Sequence, residues 1–192
     1  MKDLTNIQAV GILRSLLTIL LVLSFNICNA QDLDTSTTSR LLIMGYEKHN
    51  YSKAREFVAD AWNIQLVHVG ASTVSSQILD SATVHNNSMW KKLDTLLKLD
   101  SQKKFEADVR QEFGKIVDAD KLLESDRKVK RLRRKIENRK RQAFTELQSK
   151  KNQNMYVYRV YSKPKNWNGN YTYQKEFDLL INLNDQSCKI LN

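Results

Sequence analysis

The chain has 192 residues, 41% of them hydrophobic, with 31 lysines and arginines against 21 acids and a formal net charge of +10. Two cysteines exclude a disulfide-stapled scaffold, and the three histidines show neither a close pair nor a zinc-finger spacing. The length suits one ordinary domain, large enough to bury a core without covalent staples or metals.

Lys2 and Arg14 open the chain, and an apolar run follows from Leu16 to Phe25, then Asn26-Ile27-Cys28-Asn29-Ala30. Small residues at the −3 and −1 positions predict cleavage after Ala30, so residues 1–30 are expected to be a cleavable signal peptide. The run is about half the length needed to cross a bilayer, which disfavours a retained anchor. A lipid anchor on Cys28 is disfavoured too, because Phe25-Asn26-Ile27 lacks the small residue usually found just ahead of a lipidated cysteine. The expectation is a secreted or periplasmic protein of 162 residues whose one remaining cysteine, Cys188, is buried in the last strand.

Residues 31–40 are polar and read as a flexible leader, with a single α+β domain over 41–192. Ser52 is placed to cap a helix whose apolar face is Ala54, Phe57, Val58 and Ala61, extended by Trp62 and ending before Asn63. Ile64 to Gly70 alternates with period two and predicts a short strand. Ser72 or Ser75 caps the next helix, whose stripe runs through Ile78, Ala82, His85, Met89, Leu93 and Leu96-Leu97. Ser101 begins another, with Phe105, Val109, Phe113, Ile116 and Val117 on one face.

From Arg127 to Arg141 there are ten lysines and arginines in fifteen residues against one acid, Glu137. Val129, Leu132, Ile136, Ala143 and Leu147 keep a heptad-like spacing through this run, which predicts a basic helix over about 125–149. The period then shortens. Met155 to Tyr161 reads as a strand, Lys163 to Gly169 as a loop, and Tyr171 to Leu183 as a second strand. Ser187 to Leu191 returns as a third, after a turn at Asn184-Asp185-Gln186. The expected fold is therefore α+β: N-terminal helices with one short strand, packed against a C-terminal three-stranded antiparallel meander.

The basic helix is the strongest candidate surface, since its charges attract phosphates or other polyanions. Lys130, Arg131, Arg133, Arg134 and Arg141 are the candidate cations, joined by Trp167 and Tyr171 from an aromatic, amide-rich loop suited to sugar rings or a peptide edge. The expected function is an exported binding or structural domain that recognises an anionic envelope polymer or another exported protein. Export makes nucleic acid an unexpected physiological partner, and no motif calls for a cofactor or a metal. The alternative is a small exported hydrolase built on His68, at the end of the short strand, or His85, on a helical stripe. That requires a carboxylate, serine or metal to converge on one imidazole. No nucleophile elbow accompanies Ser72, Ser75 or Ser76. The sequons at Asn50, Asn86 and Asn170 read as incidental in an asparagine-rich chain.

Overall fold

The computed structural model describes residues 39–70, 75–165 and 172–191; the expected signal peptide, the leader up to residue 38, and Trp167 and Tyr171 lie outside them. The first described element is a strand, β1 (Ser39–Ile43), where a leader was expected up to residue 40. It pairs in parallel with β2 (Ile64–His68), in register from Ser39 opposite Ile64 to Ile43 opposite His68. The crossover between them is α1 (His49–Ala61). Leu41, Ile43 and Ile64 bury against Ala54, Val58 and Ala59 of that helix. Gly45, at φ +78°, turns the chain out of β1 in a conformation that a Cβ would strain. The helix starts three residues before Ser52, at His49, with no side-chain cap, so Ser52 lies in its first turn and is not its cap. It ends where Asn63 takes a left-handed φ of 53°, which asparagine tolerates better than most residues.

Helix α2 (Ser76–Leu97) is capped by Ser75, whose side chain accepts from the Ile78 N–H. Lys98, left-handed at φ 53°, closes it. The chain reverses at once into α3 (Ser101–Ser125), capped by Asp100 and tied back by the Ser101 N–H to Asp94 Oδ1 at 2.7 Å. Phe105, Val109, Ile116, Ala119 and Leu123 form its buried stripe, with Glu112 in the middle. Trp62 and Trp90 pack on Phe105 with ring centroids 5.6 and 5.4 Å away, which joins α1, α2 and α3 around one aromatic group.

The basic helix α4 (Arg127–Asn138) is shorter than expected. Asp126 caps it, accepting from the N–H groups of Lys128 and Val129, and Lys140 at φ 58° ends the helical path. The next residues form a strand, β3 (Arg141–Asn152), instead of the helix's last turns. Ala143 and Leu147 are four residues apart, a spacing that satisfies one turn of helix and two strand periods alike. Pairing decides between the two. Arg141 to Asn152 run antiparallel to β4 (Met155–Pro164), which also pairs with β5 (Gln174–Asn182), and that with β6 (Ser187–Leu191). The described residues form an α+β fold with four helices and a four-stranded antiparallel sheet in the order β3-β4-β5-β6, one strand more than the expected meander. One sheet face, with Leu147, Tyr156, Tyr158, Val160, Leu179 and Ile181, belongs to the same core cluster as α1, α3 and α4. The opposite face carries Phe144, Glu146, Arg159 and Tyr161, as the strand registers require.

Candidate functional site

Helix α4 docks through Val129 and Ile136, both buried, and leaves its other sides to solvent. Lys130, Arg131 and Arg134 are exposed, and among the described residues none of them has an acid within ion-pair distance. Arg127, Lys128 and Lys135 are exposed on the same helix. Arg133 is half-buried, and its guanidinium donates to Thr145 Oγ1 on β3 at 2.6 Å. Arg141 has left the helix altogether. As the first residue of β3 it donates to Ser162 Oγ at 2.7 Å and Ser162 O at 3.0 Å. Ser162 Oγ donates in turn to Glu176 at 2.5 Å, and Arg139 and Arg141 lie 3.7 and 3.9 Å from that carboxylate. The ten-cation run is thus divided: the α4 cations other than Arg133 face water, while Arg139 and Arg141 lie against Glu176. The backbone N–H of Lys165 donates to Lys140 O at 2.9 Å, which seats the start of the 165–173 connection at the end of the basic helix.

A second feature lies on the outer sheet face. Phe144, Glu146, Tyr161 and Tyr173 line a hollow of about 430 Å³. The Tyr173 ring stands at 88° to Phe144 and 64° to Tyr161, with centroids 6.0 and 6.3 Å apart. Lys163 Nζ sits 4.8 Å from the centre of the Phe144 ring. Sequence reasoning missed this hollow because it placed Phe144 and Glu146 in the basic helix. Once β3 is known to be a strand, its period of two, set against Tyr161 and Arg159, would have found it.

The histidines lie apart from both features. His85 is exposed on α2, with Nε2 3.0 Å from Arg40 O. Its neighbour Asn86 accepts from the Leu42 N–H and donates to Leu42 O, both at 2.9 Å. Together they satisfy polar groups along the edge of β1 that β2 does not use. His68 ends β2 and lines a hollow of about 470 Å³ with Gly45, Tyr46, Glu47, Ser52 and Gly70. No hydrogen bond joins His68 to Ser52 or Glu47 among the described residues. Glu47 turns instead to Arg55, at 2.9 Å, and Arg55 also reaches Glu106 at 2.9 Å. Burial works against the Arg55 charge, but these two carboxylates outweigh it and hold the guanidinium above its usual range. Among the described residues no group of three histidine, cysteine or acidic side chains converges as a metal site. Asn50 and Asn86 both commit their amide nitrogens inside the fold, Asn50 to Asp120 at 2.6 Å; Asn170 lies outside the described residues.

The buried polar groups work as anchors between α3 and the sheet. Glu112 Oε1 accepts from Tyr156 OH at 2.8 Å and Oε2 from Lys150 Nζ at 2.7 Å. Two turns on, Asp120 accepts from Tyr158 OH at 2.7 Å. Burial, and then the bonded carboxylates, raise both tyrosine pKa values far above the usual range, so the hydroxyls stay protonated donors. Cys188, half-buried on β6, has its thiol pushed up to about 11, first by burial and then by Asp126.

No protein-family model, curated protein or solved structure matches the chain. Among the described residues no helix is long and apolar enough to cross a membrane.

Proposed function

We propose that the protein is an exported binding domain that grips an anionic polymer of the envelope or extracellular space through the outward face of α4. The observation that carries this reading is the trio Lys130, Arg131 and Arg134, exposed and unpaired on a helix fixed from behind by Val129 and Ile136. A flexible basic tail would lose conformational freedom on binding. A docked helix presents its charges already ordered, so more of the attraction is retained as affinity. Each phosphate, sulfate or carboxylate neutralised releases condensed counterions, and binding should weaken steeply with salt. Trp167 and Tyr171, outside the described residues, supply a second contact in this reading on the chemistry of their side chains alone.

Retention on heparin-agarose in a rising salt gradient tests the proposal. The wild-type chain is expected to bind at low salt, and the triple variant Lys130→Glu, Arg131→Glu, Arg134→Glu to elute much earlier. The slope of log K against log salt should flatten by roughly two to three for the three lost cations. Failure of the wild type to bind at low salt would refute the reading. Unchanged elution of the triple variant would refute the assignment to α4.

A further inference from the structure

We propose that the hollow formed by Phe144, Tyr161, Tyr173 and Glu146 binds a compact organic cation of the alkylated-ammonium class. Register sets Phe144 of β3 directly opposite Tyr161 of β4 on the outer sheet face, and Tyr173, just ahead of β5, packs against both rings. A flat ligand such as a base or sugar ring calls for a flat stacking surface. Here the walls are crossed, at 88° and 64°. The edge of one ring meets the other with the centres 6.0 Å apart, so the pair leaves a corner rather than a flat platform. Crossed walls therefore suit a rounded charge better than a planar group.

The electrostatics point the same way. In a chain with ten more basic than acidic groups, the Glu146 carboxylate lines the hollow and makes no hydrogen bond or ion pair among the described residues. Its cross-strand neighbour Arg159, beside Tyr161, commits its guanidinium to Asp178, donating at 2.8 and 3.3 Å. Lys175 joins Asp178 as well, at 2.8 Å, so two cations of this face are already matched by a different acid. The Phe144 ring already holds the Lys163 ammonium, so it accepts this kind of charge, and a ligand cation would displace Lys163 from it. The volume of about 430 Å³ lies within the range of small-molecule sites.

Choline, with 3,3-dimethylbutanol as its uncharged isostere, tests the proposal on the full chain by NMR of the tyrosine and phenylalanine ring signals. Choline is expected to give saturable shifts at millimolar concentration, with the isostere about tenfold weaker or worse. Glu146→Gln should weaken choline about three- to tenfold, and Tyr161→Leu by a similar factor. Glu146 makes no contact that folding needs, so its variant remains informative if Tyr161→Leu is unstable. The triple α4 variant should bind choline as the wild type does, which separates this site from the polyanion reading. Equal binding of the two probes, or a Glu146→Gln variant with unchanged affinity, would overturn the proposal. So would saturation of the same ring signals by an uncharged oligosaccharide but not by choline.

Discussion

Replacing Glu112 tests whether a carboxylate inside the core holds α3 to the sheet. Glu112 is 4% exposed and takes two charge-assisted bonds, from Tyr156 and Lys150, with Lys115 4.0 Å away. Tyr156→Phe removes one donor at constant volume from a fully buried site; a bond to a charged acceptor contributes about 1.5–3 kcal/mol, and the hydroxyl's own desolvation returns part of that. A net loss of about 1–2 kcal/mol is expected. Glu112→Gln keeps one acceptor, turns an amide N–H₂ toward the other donor and leaves Lys150 without its counter-charge. Breaking a fully buried pair costs about 3–5 kcal/mol, but the Lys150 side chain is 21% exposed and can draw in water. A loss of about 2–3 kcal/mol follows. Since both changes act on the Tyr156–Glu112 bond, the double variant should fall short of additivity by about 1 kcal/mol. Urea unfolding followed by tryptophan fluorescence measures all three, with buried Trp90 as a reporter. Additive losses, or a Glu112→Gln loss below about 0.5 kcal/mol, would show that the carboxylate does not anchor the helix.

Asn86→Ala should cost about 1–2 kcal/mol, because it unpairs both the N–H and the C=O of Leu42. The Leu42 amide should then exchange with deuterium at least about tenfold faster, and unchanged protection would show that the edge of β1 is held by something else. Cys188 should alkylate slowly at neutral pH and accelerate toward an apparent pKa of about 11. Because burial raises this pKa above the free-thiol value of 9.0, the neutral thiol's contribution to stability is complete below pH 9 and lost as pH rises through 11. Cys188→Ser should remove that part of the alkaline loss, and a thiol that titrates below 9 in the folded chain would contradict the burial argument.

Where apolar spacing fits one period only, the sequence located the elements. Helices α1, α2 and α3, the Ser75 cap, and strands β4 and β5 belong to this group, although Ile78, His85, Leu96 and Leu97 of the expected α2 stripe are exposed and Trp90, off that stripe, is buried. Where a spacing fits two periods, local pattern could not decide, and Ala143 with Leu147 is such a case. β1 was hidden for another reason: a five-residue strand next to a polar segment shows only one full alternation, and its stability comes from β2, more than twenty residues on. Charge density located α4 but could not sort its cations. Whether an arginine faces water or an acid depends on tertiary neighbours, and Glu176 reaches Arg141 only because β4 lies between β3 and β5. The buried Glu112 was illegible as well, since an acid on a helical stripe looks solvated until Tyr156 and Lys150 arrive from the sheet.

The switch from helix to strand at Lys140 links the two candidate surfaces. Had α4 continued to residue 149, Phe144 and Glu146 would have pointed in directions about 160° apart around a helix, from 100° per residue, and shared no face. As strand residues two apart, they lie on the same side of the sheet, while Ala143, Thr145 and Leu147 take the other. The inward set gives α4 its seat: Thr145 accepts from Arg133, and Leu147 shares the core with Val129 and Ile136. The outward set supplies the wall and the acid of the hollow. A single left-handed residue therefore separates a surface that repels cations from one whose lining attracts them, and the two lie next to each other in sequence. The strongly basic composition conceals this division, because Glu146 is one acid among many lysines until the strand parity places it beside three aromatic rings.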